Sequence, residues 1–504
     1  MKTYQLRVNE INPRLTPAKW RKCWLLGLFF ILTACGGGGG SDSSDNNTPP
    51  KIDPPSQIQA GIIIPGLDEP NIKSPDLVVD DNGVQHAVAS DIVGNVFYAR
   101  CDESCDLAES WESVVMTNFE VEGFFSSSIV PKLQVTSNNQ PRVMVFRANS
   151  VLSTIPSLYF ECNAVDCLNA SAWSGQETFA MIGVVEYDIE RSRSFTLSND
   201  DKPRVSWLSV PELGNFLDDN QDDALFYASC ENDCATTGEW TTTVAQVFNL
   251  SSATVADIVI DNTGTGHIAF LEQIVGSNTI DITYLSCVAL CDSSAPAWGS
   301  PVVLSTREQD LSELLSLRLF LTPSGEPALA LYDPESTGDD PLTLFTCVGD
   351  CNTQAGWQST VPVNLASFVG EDIVSFGNRL DATSIDGDLT LQFTAKRRND
   401  LFPSLLYQAS CNSECNRLPN WSITKMADAS TIPYSDVGIC QFVGTEIGGP
   451  TTIASAAFSY VIAPIWFCGD YDYIEIDESG NRELISAADI RFFEIAIVTQ
   501  LPQP

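Results

Sequence analysis

The chain has 504 residues with 28 Pro and 32 Gly, and its 26 basic and 65 acidic side chains give a formal net charge of −39. That length holds one large or two ordinary domains. So negative a surface repels phosphate backbones and anionic lipid, and with only Arg397 and Arg398 as a basic patch it excludes nucleic-acid binding and reads as a heavily solvated surface.

At the amino terminus Lys19, Arg21 and Lys22 precede an apolar run from Trp24 to Leu32. The run is shorter than the roughly 20 residues needed to span a bilayer, which is the shape of an export signal. Leu32-Thr33-Ala34-Cys35 resembles the bacterial lipobox, with Gly36 next rather than Asp. The resemblance implies removal of residues 1–34, acylation of Cys35 (palmitate among the acyl groups), and, in a bacterium with two membranes, an outer-membrane lipoprotein touching membrane through that lipid only. Residues 35–55 hold a Gly run and a Ser, Asp and Pro tract, a flexible tether that cannot bury enough apolar surface to fold. Loss of the leader takes six basic residues and one acidic one, leaving 20 against 64, or −44. The folded domain is expected over residues 56–504, as a monomer.

The cysteines expose its architecture. Setting aside Cys23 in the leader and Cys35, twelve of the 16 form close pairs: Cys101/Cys105, Cys162/Cys167, Cys230/Cys234, Cys287/Cys291, Cys347/Cys351 and Cys411/Cys415. A Trp follows each pair (Trp111, Trp173, Trp240, Trp298, Trp357, Trp421), six residues on in five cases and seven in one. Successive first cysteines lie 61, 68, 57, 60 and 64 residues apart, an internal repeat. Export favours disulfides over zinc here, because no second pair of ligands is local.

Within the first repeat, Leu77-Val78-Val79 precedes the turn Asp80-Asp81-Asn82-Gly83, then Gln85 to Ala89, then Val96-Phe97-Tyr98 leading to Cys101; the fourth repeats this around Asp261 to Gly264, His267 and Tyr284. Short apolar runs broken by Asp, Asn and Gly turns predict antiparallel meanders. Four strands per repeat, with apolar residues on both faces, predict an all-β β-propeller with one intra-blade disulfide per blade. Blades are expected near 75–116, 131–178, 193–245, 256–304, 315–363, 378–426 and 435–480, with 481–504 as a tail or ring-closing strand. The seventh rests on Val437 to Cys440, Thr451 to Phe458 and Ile465 to Cys468, with Cys440 and Cys468 as its bridge. Six blades with an appended domain is the alternative. Phe492 to Val498 or Ile62-Ile63-Ile64 would complete the ring across the termini.

An apolar strand, an Asp/Asn-Gly turn, a His-Ile-Ala-like strand and Tyr-x-x-Cys resemble the repeats of sialidase-like β-propellers over residues 60–480. Their Ser-x-Asp-x-Gly-x-x-Trp hallmark is absent, since Gly83, Gly264 and Gly325 have no Trp at the required place. No catalytic residue is therefore carried over from the family.

In an up-and-down blade the first and third turns share one end. The opposite end carries connections whose length varies: from the second-strand slot to the first Cys is 15 residues for His86, 20 for Arg142, 26 for Arg204 and 20 for His267. Irregular loops on a rigid scaffold are the usual place for binding. That choice makes Glu186, Tyr187, Tyr332, Asp333, Glu335, Asp339, Glu371, Asp400 and Phe402 the candidate ligand face. His86 and His267 are the only histidines and share a slot with Arg142 and Arg204, which favours a local structural role over catalysis. Gly264-x-Gly266 lies in a hairpin turn and is no nucleotide loop. Asp218, Asn220 and Asp222, with Asp219 and Asp223, resemble the start of a calcium loop without its Gly and closing Glu. Otherwise no cofactor is expected.

These readings converge on an envelope-anchored binding or assembly module for a glycan, peptide or envelope protein. The alternative is a glycoside hydrolase or polysaccharide lyase, which would need facing carboxylates about 5 to 10 Å apart. Because Cys35 carries the lipidation motif, Cys35→Ser should leave the chain uncleaved or release it in soluble form. Fractionation checks this, and a processed mutant recovered in membranes would contradict it.

Overall fold

The computed structural model describes residues 62–63 and most of 72–499, apart from the connections 120–127, 149–154, 182–192, 210–222, 309–315, 333–341, 398–404, 429–438 and shorter ones; from residue 439 on, backbone alone is described. After β1 (Ile62–Ile63) come six blades. Blade 1 is β2–β5 (Ile72–Val79, Gln85–Asp91, Asn95–Cys101, Glu112–Asn118) and blade 2 is β6–β9 (Ser128–Val135, Pro141–Ala148, Ile155–Cys162, Trp173–Met181). Blade 3 is β10–β13 (Arg193–Leu197, Pro203–Ser209, Asp223–Ser229, Thr241–Phe248). Blade 4 is β14–β18 (Ser251–Ile260, Gly266–Ile274, Thr279–Ala289, Ala297–Trp298, Val302–Glu308), its outer strand split in two. Blade 5 is β19–β22 (Ser316–Leu321, Pro327–Tyr332, Leu342–Cys347, Trp357–Thr360), and blade 6 is β23–β26 (Ile373–Ile385, Asp388–Arg397, Leu405–Cys411, Ser422–Asp428). Each is an antiparallel meander in chain order, and first strands of successive blades lie side by side, so these are the innermost.

The turn between first and second strands is five residues long in blades 1 to 5: 80–84, 136–140, 198–202, 261–265 and 322–326. In each, the fourth residue's N–H donates to the first residue's carbonyl, at 2.8 to 3.0 Å. The first residue is Asp80, Thr136, Ser198, Asp261 or Thr322, and its side-chain oxygen accepts from the fifth residue's N–H. Such side chains stabilise turns by replacing backbone partners. The fourth residue has positive φ: Gly83 (83°), Gly264 (86°) and Gly325 (88°), but also Asn139 (61°) and Asp201 (62°), residue types that tolerate this region. Those two exceptions reach back to the preceding blade. Asn139 Oδ1 accepts from the N–H of Asp81, and Asp201 accepts from the N–H (2.8 Å) and hydroxyl (2.6 Å) of Ser137.

All six close cysteine pairs are bonded as the spacing predicts, one in each blade: Cys101–Cys105, Cys162–Cys167, Cys230–Cys234, Cys287–Cys291, Cys347–Cys351 and Cys411–Cys415, with Cα–Cα distances of 5.6 to 5.9 Å. The fixed distance to Trp has a physical cause. The indole N–H of Trp111 donates to the carbonyl of Cys105, that of Trp173 to Cys167, Trp240 to Cys234, Trp357 to Cys351 and Trp421 to Cys415, at 2.9 to 3.2 Å. Trp298 stands seven residues past Cys291, and its Nε1 is buried without a partner. The Trp rings then bind neighbouring blades: Tyr98 meets Trp173, Tyr159 meets Trp240, Tyr227 meets Trp298 and Tyr284 meets Trp357, edge-on with centroids 4.8 to 5.4 Å apart. Such pairs add about 1 kcal/mol each beyond buried area.

The expectation of seven four-stranded blades is corrected to six. Beyond β26 the meander stops. β27 (Ile439–Phe442) and β28 (Thr451–Ser455) both pair with β29 (Phe458–Phe467), β30 (Tyr471–Ile476) and β31 (Arg482–Ala487) form a separate hairpin, and β32 (Phe493–Thr499) returns beside β29 and pairs with β1 through Ile62 and Ile497. The segment lacks the paired-cysteine turn that joins third to fourth strands elsewhere, so those two places are filled from the far ends of the chain. The backbones of β28 and β29 lie against β2, and β28 also lies against β23, so this sheet sits between blades 6 and 1. The expected Cys440–Cys468 bridge falls outside the described residues.

Trp357→Phe removes an indole donor and leaves the Cys351 carbonyl without it, whereas Trp298→Phe removes a donor that has no acceptor. Urea unfolding should show the first costing about 1 kcal/mol more than the second. Equal losses would contradict the indole bond as the reason for the spacing.

Candidate functional site

Three regions bring together polar side chains that a site could use: the axis, the turn face and the loop face. At the axis, each innermost strand contributes one residue from the same register, four before its turn in blades 1 to 5: Asp76, Lys132, Ser194, Asp257 and Arg318, with Asp381 in blade 6. Asp76 accepts from the N–H of Leu77 (3.1 Å) and, in the next blade, of Leu133 (2.8 Å). Asp257 repeats the arrangement with Ile258 (3.0 Å) and Leu319 of blade 5 (2.9 Å), and receives the Ser194 hydroxyl from blade 3 (2.5 Å). Arg318 lies between two carboxylates, with Nε 3.0 Å from Asp381 and Nη1 3.5 Å from Asp257. The Asp257 charge raises its pKa, burial opposes, and Asp381 and Asp76 add to the rise. Its side chain is nevertheless 40% exposed. The signal for this belt was present in the sequence as an Asp four residues before the turn in repeats one and four.

On the turn face, His86 and His267 occupy equivalent slots and are almost wholly buried. His86 Nδ1 lies 2.7 Å from the Tyr98 hydroxyl and its Nε2 3.6 Å from Asp80 Oδ2; His267 pairs likewise with Tyr284 (2.5 Å) and Asp261 (3.2 Å). Burial lowers the pKa of His86, outweighing the attraction of Asp80, and burial raises that of Tyr98. A neutral ring that accepts the phenol proton at Nδ1 carries its own proton on Nε2, on the side of Asp80. At Asp261 burial pulls upward, but bonds from His267, Thr263 and the N–H groups of Thr265 and Thr263 hold its carboxyl well below the usual range. In blades 2 and 3, Arg142 and Arg204 fill the slot and donate to the carbonyls of Cys162 (3.2 Å) and Cys230 (3.4 Å). One slot thus ties the second strand to a neighbouring turn with two different chemistries.

The cysteines share this face, and none of the twelve is free to ligate or to act as a nucleophile. Cys105, Cys167 and Cys234 are buried, while Cys291, Cys351 and Cys415 are half-buried, each holding the sulfur of its partner at the end of a third strand. Their role is to fix turns. Among the described residues no group of three or more His, Cys, Asp or Glu is arranged to hold a metal.

On the loop face, the connection between second and third strands runs from three residues in blade 1 (92–94) to 13 in blade 3 (210–222). Glu186, Tyr187, Asp333, Glu335, Asp339, Glu371, Asp400 and Phe402 lie outside the described residues, as do Asp218, Asn220 and Asp222. Tyr332 is described. It ends β20 with its side chain fully buried in the core shared by blades 5 and 6, among Leu380, Phe393 and Tyr407.

No family model matches the chain, and no curated protein matches it by sequence. Among solved structures it is similar to an ulvan lyase (9% identity, TM-score 0.45, covering 80% of this chain and 93% of that one). It is also similar to the Penicillium chrysogenum α-L-arabinanase (9%, 0.42, 88% and 99%) and the Aleuria aurantia lectin (11%, 0.39, 72% and 97%). These are likenesses of fold alone.

The lowered pKa of His86 has a defined consequence for stability. Below its unfolded value of 6.5 the unfolded chain takes up a proton that the folded one refuses, so this contribution is complete above pH 6.5 and is lost as pH falls toward the folded pKa. Urea unfolding from pH 7.5 to 5 should show a shallower loss in His86→Gln than in the parent. Parallel curves would contradict a neutral buried imidazole.

Proposed function

We propose that the chain is a noncatalytic binding module, held at the bacterial cell envelope by an acylated Cys35, whose loop face takes a glycan, with a peptide or an envelope protein as the other ligand classes suited to such loops. The observation that carries this reading is the contrast between the two ends of the propeller. First turns are five residues long in blades 1 to 5 and are closed by their own side chains, and the third turns by disulfides. The opposite connections span three to 13 residues on the same frame. Rigid scaffolds place recognition on the loops that are free to vary.

The axis weighs against catalysis. It is where a propeller brings carboxylates of different blades together, as glycoside hydrolysis requires. Here Asp76 and Asp257 each use both oxygens on backbone N–H groups of their own and the next blade, and Asp257 and Asp381 also hold Arg318. These groups belong to the frame.

The test is a glycan array on the mature protein, followed by assays for released sugars and for unsaturated products. Specific binding without turnover is expected. Replacing 212–221 by a short Gly-Ser turn should weaken binding while shifting Tm by no more than about 2 °C, because surface loops are cheap to alter. Turnover of a bound glycan would establish the hydrolase or lyase reading instead.

A further inference from the structure

Arg147 has, among the described residues, neither a carboxylate nor a hydroxyl partner, whereas Arg307, whose Nε is likewise buried without an acceptor, donates from Nη2 to the Thr343 hydroxyl (3.3 Å). Arg100, Arg142, Arg204, Arg318 and Arg417 each lie beside a carboxylate. Among the described residues Arg147 has no hydrogen bond or ion pair: its Nε is sealed from solvent with no acceptor, and its one close partner is the ring of Phe119, 4.6 Å below the guanidinium. Burial lowers its pKa, and the charge of the exposed Glu177 only partly offsets this.

The place of this pair matters as much as its chemistry. Arg147 is the penultimate residue of β7, at the end that leads into the loop face. Phe119 directly follows β5, and its N–H donates to the carbonyl of Gly94 (2.8 Å), which pins it to the connection 92–94 of blade 1. The pair therefore joins blades 1 and 2 at the working end of the propeller. A half-buried cation without an acceptor destabilises the fold. In a chain with 65 acidic residues a carboxylate partner would be simple to supply, and Arg100, Arg142, Arg204, Arg318 and Arg417 each have one. A guanidinium held over an aromatic ring can still offer its terminal N–H groups to a carboxylate or a sulfate.

We infer that Arg147, held over Phe119, is the anion-recognition point of the loop face and takes a carboxylate or sulfate group of an acidic saccharide. The inference rests on the glycan-binding reading above and names the ligand class within it. It also explains why the position keeps a charge: the cost to folding is recovered when the oxyanion arrives.

Arg147→Met tests this, since it keeps the length and the contact with Phe119 and deletes the charge. If the guanidinium serves recognition, the variant should melt no lower than the parent, within about 2 °C. Sodium glucuronate and sodium sulfate should each be compared with sodium chloride at equal ionic strength. Sulfate stabilises proteins generally, so the informative quantity is the difference between parent and variant. A rise in Tm present in the parent and lost in Arg147→Met supports the inference, and the larger loss, with glucuronate or with sulfate, says which oxyanion is preferred. A fall in Tm beyond that margin in the variant would make Arg147 a structural cation and overturn the inference, as would equal anion effects on both proteins. Array binding to neutral glycans that Arg147→Met leaves intact would also overturn it while sparing the binding module; absence of any glycan binding would instead remove the reading beneath it.

Discussion

Tyr98, Tyr159, Tyr227 and Tyr284 each stand on the third strand of one blade and meet the Trp beyond the disulfide turn of the next. These contacts are the local form of a constraint that governs the whole molecule, that a four-stranded sheet with apolar residues on both faces is stable only between two others. The second strands show it plainly. Gln85–Asp91 and Pro327–Tyr332 are buried at every residue, with no solvent face at all. The cores accordingly lie between blades, as where Phe320 and Tyr332 of blade 5 pack with Leu391 and Phe393 of blade 6.

Each level of the ring is tied by its own kind of bond. At the axis, Asp76 and Asp257 pass a carboxylate to the backbone of the next blade; at the turn face, Asn139 and Asp201 reach back to the preceding turn. The disulfides close loops of four or five residues, which removes little entropy from the unfolded chain. Their work is local. They hold the turn so that the second Cys, as at Cys105 or Cys415, presents its carbonyl to the indole, and the indole in turn stands where the neighbouring Tyr can reach it.

This arrangement leaves the loop face outside the network of turn, disulfide and indole bonds. The indole bonds and the axial belt are made by the strands and the first and third turns, without the connections between second and third strands on which recognition is proposed. Ring closure follows the same economy. β1 and β32 pair near the two ends of the described chain, so the sheet between blades 6 and 1 is completed without a further disulfide turn.

The sequence by itself determined the blade. The Cys-to-Trp interval, the Asp-Gly turns and the alternation of apolar runs are local features, set by bonds that close within a few residues, and they were legible as four-stranded repeats, intra-blade disulfides and structural histidines. What only the tertiary structure decided was everything that crosses from one blade to the next. The number of blades was one such matter, because Val437 to Cys468 carries strand signals like any repeat, while whether strands pair in chain order depends on β32 and β1 arriving from far away. The axial belt was another: Asp76, Asp257, Arg318 and Asp381 are separated by some sixty residues or multiples of it, and no spacing rule sets their charges beside one another until the ring closes. The same holds for Arg147 and Phe119, unremarkable in sequence 28 residues apart. Burial and the lack of an acceptor are properties of packing, and a linear pattern does not contain them.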